Sequence, residues 1–349
     1  MSNAPIEIKE LYKIFGPSPT RYVNDVKAGA TKSQLAREHD AVLALNDISI
    51  TMPSGKIQVV MGLSGSGKST LIRHINRLIE PTSGSIMVDG VNILKLGEKE
   101  LRDFRRNRTA MVFQKFALLP HRTVIDNVIF GLEVRGTPSA KARDIGVKWI
   151  ERVGLHGFAA RYPHELSGGM QQRVGLARAL SNDAPILLMD EAYSALDPLI
   201  RSDMQAVLLQ LQAEIKKTIV FITHDLDEAL RLGDKIAILR DGSIVQQGDS
   251  QEILLNPADD YISRFVKDVN RGRFIKVDAV MKPGGGPGLP QLGSGATLEA
   301  AAREMTAGGF DEAVVVEAGG KPLGRITLRA IAAALSSVAE APQAALAGG

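Results

Sequence analysis

The stretch KIQVVMGLSGSGKST, residues 56 to 70, constrains the fold more than any other part of the chain. A short apolar run leads directly into Gly62-Leu-Ser-Gly-Ser-Gly67-Lys68-Ser69, which fits G-x-x-x-x-G-K-[ST]. The apolar residues that follow, Leu71, Ile72, Ile75, Leu78 and Ile79, fall on one helical stripe. Strand, glycine loop and helix in that order predict an α/β fold with a parallel sheet.

The chemistry of the loop is phosphate binding, because its glycines let backbone N–H groups converge on phosphate oxygens at a helix N-terminus. Lys68 reaches the β and γ phosphates and the Ser69 hydroxyl ligates magnesium. Gly62, Ser64, Gly65, Gly67 and Thr70 complete the expected ATP-binding set. Such a loop needs a magnesium carboxylate at the end of a buried strand, and Ile186-Leu-Leu-Met-Asp190 supplies Asp190. Glu191 beside it is the candidate base for activating water, and Ser194-Ala-Leu-Asp197 comes next. His224 ends the next apolar run, TIVFITHD, where an imidazole can bond a γ phosphate and report its loss. Gln114, in MVFQKFALLPH, stands where the core gives way to helices. On its own it also fits a surface glutamine.

The rest of the chain supports an α/β core. IEIKELYKIF (6 to 15) and VLALNDISITM (42 to 52) read as an antiparallel β edge, and IMVDGVNI (86 to 93) as an Asp-Gly hairpin. From about 120 to 180 the pattern is helical only. PILLMDEA and TIVFITHD are continuous apolar runs suited to a covered parallel sheet, and IAILRDGSIVQQG closes the domain as a second hairpin. Between the first two strands, residues 16 to 41 form an insertion whose Thr31-x-x-Gln34 predicts a capped short helix.

Composition excludes several functions. There is no cysteine, which removes disulfides and cysteine-based metal sites or nucleophiles. Net charge is only +3, from 42 basic and 39 acidic residues spread along the chain, so no basic stripe argues for nucleic acid. RDFRRNR (102 to 108) reads as a solvated helix face, since no aromatics interleave it as a stacking platform. MSNAPIEIKELYKIFG shows no basic segment followed by an apolar run, and no stretch of about eighteen apolar residues occurs. The expectation is a protein neither exported nor inserted, whose membrane role comes through a partner.

LSGGMQQR (166 to 173) opens a basic helix about a hundred residues after the phosphate loop and resembles a second cradle. With it the set is complete: Phe15, the phosphate loop, Gln114, LSGGMQQR, LLMDE, SALD and His224 come in the order and approximate spacing of an ABC-type ATP-binding cassette. The resemblance covers roughly residues 5 to 265. It is closer to the ATPase subunits of glycine betaine, proline betaine and choline importers, on LYKIFGPSP with its insertion, MGLSGSGKSTLIRHINRLIEPTSG, and DEAYSALDPLIR followed by THDLDEALRLGDKIAI.

That resemblance implies a RecA-like core with a helical subdomain, ATP and Mg2+ as ligands, and hydrolysis by a homodimer that drives transmembrane permease subunits. An extracytoplasmic substrate-binding protein is the indirect partner, and the cytoplasmic face of the inner membrane the expected place. Phe15 would stack on adenine, with Tyr12 as its rival. Glu191, His224 and Gln114 would be catalytic, and Ser69, Gln114 and Asp190 would hold magnesium. Ser167, Gly168 and Gly169 would bind the γ phosphate in trans, with Asp197 across the dimer seam. Met170 replaces a frequent glutamine and Tyr193 a usual phenylalanine, and neither change removes a phosphate donor.

The implied layout is an ATP-binding domain over 1–270 with its helical subdomain near 115–180 and a Gly/Pro-rich linker over 271–296. A single CBS-like motif over 297–337 and a disordered tail over 338–349 complete it. In GRITLRAI, Ala330 stands where an acidic residue commonly holds a ribose, so docking or dimerisation stands beside nucleotide binding as the role of that motif. Eight basic and seven acidic residues from 271 to 349 give no cationic face by count. An importer for another solute, such as an amino acid, is the alternative, because solute choice lies in the permease. A soluble ABC protein acting on DNA or the ribosome usually has two cassettes in one chain or a long coiled coil between the phosphate loop and LSGG, and this chain has one cassette and a gap of about a hundred residues without heptads.

Overall fold

The structure, a computed structural model, describes residues 5–114, 116–286 and 288–336. The tail expected to be disordered lies outside the described residues. The chain divides into two compact units, Met1–Val245 and Gln246–Gly349.

The first unit runs β1 (Ile6–Phe15), α1 (Val23–Lys27), α2 (Lys32–His39), β2 (Val42–Met52), β3 (Ile57–Met61), α3 (Lys68–Ile75), β4 (Ser83–Val88), β5 (Val91–Asn92), α4 (Glu98–Asn107) and β6 (Thr109–Val112). It continues with α5 (Val124–Val134), α6 (Ser139–Arg152), α7 (Gly168–Ser181), β7 (Ile186–Asp190), α8 (Pro198–Ile215), β8 (Thr218–Thr223), α9 (Leu226–Leu232), β9 (Lys235–Arg240) and the first residues of β10 (Ser243–Gly248). One sheet has the order β2-β1-β4-β5 with antiparallel pairing, and the other the order β10-β9-β3-β8-β7-β6. From β9 to β6 the second sheet is parallel.

Every residue of β3, β7 and β8 is buried, as expected of parallel strands covered on both faces. Leu71, Ile72 and Ile75 of α3 pack in one core with Ile6, Leu45 and Ile48 of the antiparallel sheet and Ile186, Val220 and Ile222 of the parallel sheet. The phosphate-loop helix is thus clamped between two sheets. Its stripe is shorter than the sequence predicts: α3 stops at Ile75, Arg77 turns the chain at φ +53°, and Leu78 is 51% exposed. Both Asp-Gly hairpins form, with positive φ at Asp89, Gly90, Asp241 and Gly242.

The insertion after β1 carries two short helices, and Thr31 and Gln34 close the predicted capping box reciprocally. Val23, Val26 and Leu35 bury themselves with Tyr12, Ile14 and Leu43. The helical subdomain is α5, α6 and α7. A side chain at Gly146 would meet Ile125 and Ile129, which is why α6 has glycine where it crosses α5. Arg105 of the basic stretch is not purely solvated; its Nε donates to the Asn76 carbonyl at 2.9 Å.

In the second unit α10 (Ser250–Leu255) and α11 (Asp260–Val266) precede β11 (Gln291–Gly293), α12 (Leu298–Gly308), β12 (Glu312–Val316), β13 (Pro322–Thr327) and α13 (Leu328–Ser336). From α12 to α13 the order is helix-strand-strand-helix, with β11 added parallel to β12. The unit starts at Gln246, ahead of residue 271, and Gln251 Nε2 donates to the Phe274 carbonyl while Gln251 Oε1 accepts from the Lys276 amide. Within residues 271–296 Ile275, Val277 and Leu292 are buried, and the Leu298 amide donates to the Ile275 carbonyl at 2.8 Å. Among the described residues no helix is long and apolar enough to cross a membrane.

Candidate active site

The carboxyl ends of four neighbouring parallel strands deliver the site. In spatial order β3 feeds the phosphate loop, β8 ends before His224, β7 ends at Asp190, and β6 leads to Gln114. Their register is close: Met61 faces Thr223, Ile222 faces Asp190, and Met189 faces Val112. In an open parallel sheet this is where ligands bind.

The loop holds its shape through glycine. Gly62, Gly65 and Gly67 all have positive φ, and a Cβ at Gly62 would collide with the Leu239 carbonyl. Leu63, Ser64 and Gly65 form its exposed rim, while Ser66 is buried with its Oγ unpartnered. Lys68 is only 4% exposed, and its Nζ donates to the Gly62 and Leu63 carbonyls at 2.8 and 3.0 Å. Burial lowers its pKa, opposed by the charges of Glu191 and Asp190. Thr70, one turn into α3, accepts at its carbonyl from His74 Nδ1 at 2.6 Å.

The residues expected to hold metal and to act as base meet across this loop. Ser69 Oγ donates to Asp190 Oδ1 at 2.8 Å, and Arg73 donates to Asp190 Oδ2 at 3.1 Å. Glu191 has a left-handed backbone, φ +47°, which turns it out of the strand line. Its carboxylate lies 3.9 Å from Lys68 Nζ, accepts from Gln114 Nε2 at 3.1 Å, and stands 3.7 Å from His224 Nδ1. Gln114 also donates to Ser194 Oγ at 3.2 Å. Gln114, Asp190, Glu191 and His224, spread over 111 positions of sequence, are thereby brought around Lys68 and Ser69.

The remaining predicted residues sit at the starts of α7 and α8 and at the end of β1. Ser167 caps α7 by accepting from the Met170 amide at 3.4 Å, and it and Gly168 are exposed. Asp197 caps α8 through the Ile200 amide at 3.0 Å and is also exposed. A Cβ at Gly169 would run into Ile200, so the starts of α7 and α8 pack together. Phe15 is 40% exposed, whereas Tyr12 is 5% exposed and sits inside the insertion's core.

Sequence reasoning missed Arg73 and Lys13 and gave Ser194 no role of its own. Arg73 could have been found, because it is four residues beyond Ser69 on one helix face. Lys13 Nζ lies 4.6 Å from the Phe15 ring centroid, and no spacing rule announces that contact.

Past Gln114 the chain is strained and pinned. Phe116 and Ala117 both have positive φ, and their carbonyls accept from Arg178 of α7. Buried Asn127 of α5 holds Leu119 through both its amide and its carbonyl. Beside this loop a cavity of about 520 Å³ is walled by Phe113, Leu119, Phe130 and Val134 and edged by Arg102 and Arg106.

Magnesium fits this donor set. A hydroxyl and a carboxylate already 2.8 Å apart offer hard oxygen ligands, and Mg²⁺ is ordinarily held by one or two carboxylates plus substrate phosphates. Among the described residues no group of three or more His, Asp or Glu could hold a metal without such a substrate.

A glycine phosphate cradle faced by an Asp-Glu pair at one sheet edge, with a helical subdomain opening on a second glycine pair, defines a P-loop ATPase cassette. Residues 45–194 match the family described as ABC transporter. The glycine betaine/proline betaine transport system ATP-binding protein ProV of Salmonella typhimurium is 46% identical over 331 residues, covering 95% of this chain and 82% of that protein. The trimethylamine N-oxide transport system ATP-binding protein TmoW of Ruegeria pomeroyi is 46% identical over 304 residues, covering 87% of this chain and 89% of its own. Among solved structures, a dimeric post-hydrolysis state of an ATP-binding cassette bound to ADP and Pi is 30% identical, with TM-score 0.60, covering 70% of this chain and 98% of that one. The chain belongs to the ABC transporter family, as an ATP-binding cassette that hydrolyses ATP.

Proposed function

We propose that this cassette powers an importer for a quaternary ammonium compound, such as glycine betaine, proline betaine or choline, from the cytoplasmic face of the cell membrane. The observation that carries the reading is a divided site. Glu191 is bracketed by Lys68, Gln114 and His224 in one chain, while Ser167, Gly168 and Asp197 stand exposed with only local caps. In this reading a second copy faces the first, and each phosphate loop is closed by Ser167 to Gly169 of the other. Ser69, Asp190 and Gln114 would hold magnesium, which would supply positive charge against the phosphates; Phe15 stacks on adenine, and Glu191 takes the proton of the attacking water.

Coupling comes from the loop after Gln114. Arg178 ties the Phe116 and Ala117 carbonyls to α7, the helix that Ser167 opens, so displacement of this loop is carried to α7. The apolar cavity beside the loop suits a helix of the permease, which is how closure of two cassettes would reach the membrane. The solute class rests on the relatives, whose named solutes carry a methylated nitrogen; an extracytoplasmic binding protein would select it.

Two measurements test the proposal. The Glu191→Gln protein should dimerise on saturating ATP and release phosphate about 10²- to 10⁴-fold more slowly; a monomer at saturating ATP overturns the sandwich. Cells lacking the chain should lose uptake of labelled glycine betaine and regain it with wild type but not with Glu191→Gln. Unchanged betaine uptake with loss of amino-acid uptake would replace the solute class.

A further inference from the structure

The Phe15 ring has two unlike faces. Lys13 Nζ lies 4.6 Å from the ring centroid, within cation–π range, and donates to the Glu80 carbonyl at 2.8 Å. Lys13 is partly buried, and its head is held from behind by backbone. Glu80 belongs to the short segment after α3 that is stitched to β1. The Thr82 amide donates to the Tyr12 carbonyl at 2.8 Å, and Thr82 Oγ1 accepts from the Ile14 amide at 2.9 Å. The ammonium is therefore placed by the same connection that runs from the phosphate-loop helix back to the strand bearing Phe15.

We propose that Lys13 is a positioning residue for ATP: tethered to Glu80, its ammonium occupies one face of Phe15 and leaves the other as the platform for the base. This rests on Phe15 being the adenine-stacking residue. Two effects result. The ring is held in one orientation, so less freedom is lost when the base stacks. The cation also draws electron density through the ring, which weakens the repulsion that two π faces meet in a stacked pair. Because Glu80 is the anchor, the distance between base platform and phosphate cradle is set by the seam that joins segment 80–82 to β1.

The test is a comparison of dissociation constants for MgATP and inorganic tripolyphosphate, measured calorimetrically on the full chain. Lys13→Gln should weaken ATP about 3- to 10-fold, as expected for loss of one partly exposed cation–π contact, and leave tripolyphosphate within about twofold. Lys13→Arg, which keeps a cation able to stack on the ring and donate to the Glu80 carbonyl, should restore ATP binding. In a Phe15→Ala background Lys13→Gln should add nothing. An equal loss of tripolyphosphate affinity, or a full Lys13→Gln effect without the ring, overturns the proposal. If Phe15→Ala weakens ATP while Lys13→Gln does not, the inference fails and the stacking reading stands; if Phe15→Ala leaves ATP affinity unchanged, the stacking reading fails.

Discussion

Gln114 donates one amide hydrogen to the Glu191 carboxylate, at 3.1 Å, and another to the Ser194 hydroxyl, at 3.2 Å. One side chain at the end of β6 thus orients the candidate base at the end of β7. Glu191 has no comparable partner in His224, whose Nδ1 at 3.7 Å is beyond hydrogen-bond distance. Gln114→Ala should therefore lower the rate of ATP hydrolysis about 10- to 100-fold, the loss that misplacing a reacting group by an ångström can bring. Ser194→Ala, which leaves the bond to Glu191 in place, should cost much less. Phosphate release under saturating ATP separates the two, and equal losses would show that Gln114 acts otherwise than through Glu191.

Ser167 stands at the exposed start of α7, where a larger charged side chain has room in the single chain; in the proposed face-to-face dimer it would meet the phosphate loop of the other copy. Ser167→Arg should bind ATP at the phosphate loop within about twofold of wild type, since only a helix cap of about 1 kcal/mol is removed. Hydrolysis and ATP-dependent dimerisation should fail together. Calorimetry for binding and light scattering for mass would check this. Hydrolysis at the wild-type rate from a purely monomeric variant would rule out a site completed in trans.

The phosphate loop, Asp190, Glu191 and His224 are legible in the sequence because each is a local pattern: glycines before a Lys-Ser pair, or a polar residue ending an apolar run. The covered parallel strands are legible for the same reason. The contacts that sequence does not announce join residues that meet only after folding. Lys13 finds its carbonyl 67 positions away, and Gln114 finds Glu191 77 positions away. The α3 stripe reads too long because Leu78 and Ile79 keep the helical period although Arg77 has already left the helix. The second unit starts before the composition changes near 271, because Gln251 bonds Phe274 and Arg271 bonds Leu254, which ties α10 to residues 271–274. Tyr12 against Phe15 cannot be decided by residue type. Burial of Tyr12 by the inserted helices leaves Phe15 as the exposed ring.

His74 sits on α3 behind the phosphate loop, fully buried, with Nδ1 bonded to the Thr70 carbonyl and Nε2 unpartnered. Burial is the largest cause that lowers its pKa, from 6.5 to about 4. In the unfolded chain the imidazole takes a proton below about 6.5, but in the folded chain it does not until about 4. Stability is therefore intact above pH 6.5 and declines as pH falls through that window, by up to about 3 kcal/mol. Urea unfolding at several pH values should show wild type losing stability with a slope about one proton steeper than His74→Leu. Parallel slopes between pH 6.5 and 4.5 would show that His74 titrates freely in the fold.

Gly65 and Gly67 both carry positive φ, +77° and +100°, yet their surroundings differ. A Cβ at Gly65 meets nothing within 4 Å, whereas one at Gly67 would lie 2.6 Å from the Ala44 carbonyl oxygen and 2.8 Å from Leu45 Cδ2. Alanine at Gly65 therefore adds only the left-handed strain of about 1–2 kcal/mol. Alanine at Gly67 adds the same strain and pushes against β2 backbone and buried Leu45, which cannot retreat without opening the core above α3. Thermal unfolding without nucleotide should place Gly67→Ala several degrees below Gly65→Ala, at about 2–4 °C per kcal/mol for a domain of this size. Equal melting temperatures would mean that the β2 contact yields freely, and that the loop needs glycine at both positions for backbone conformation alone.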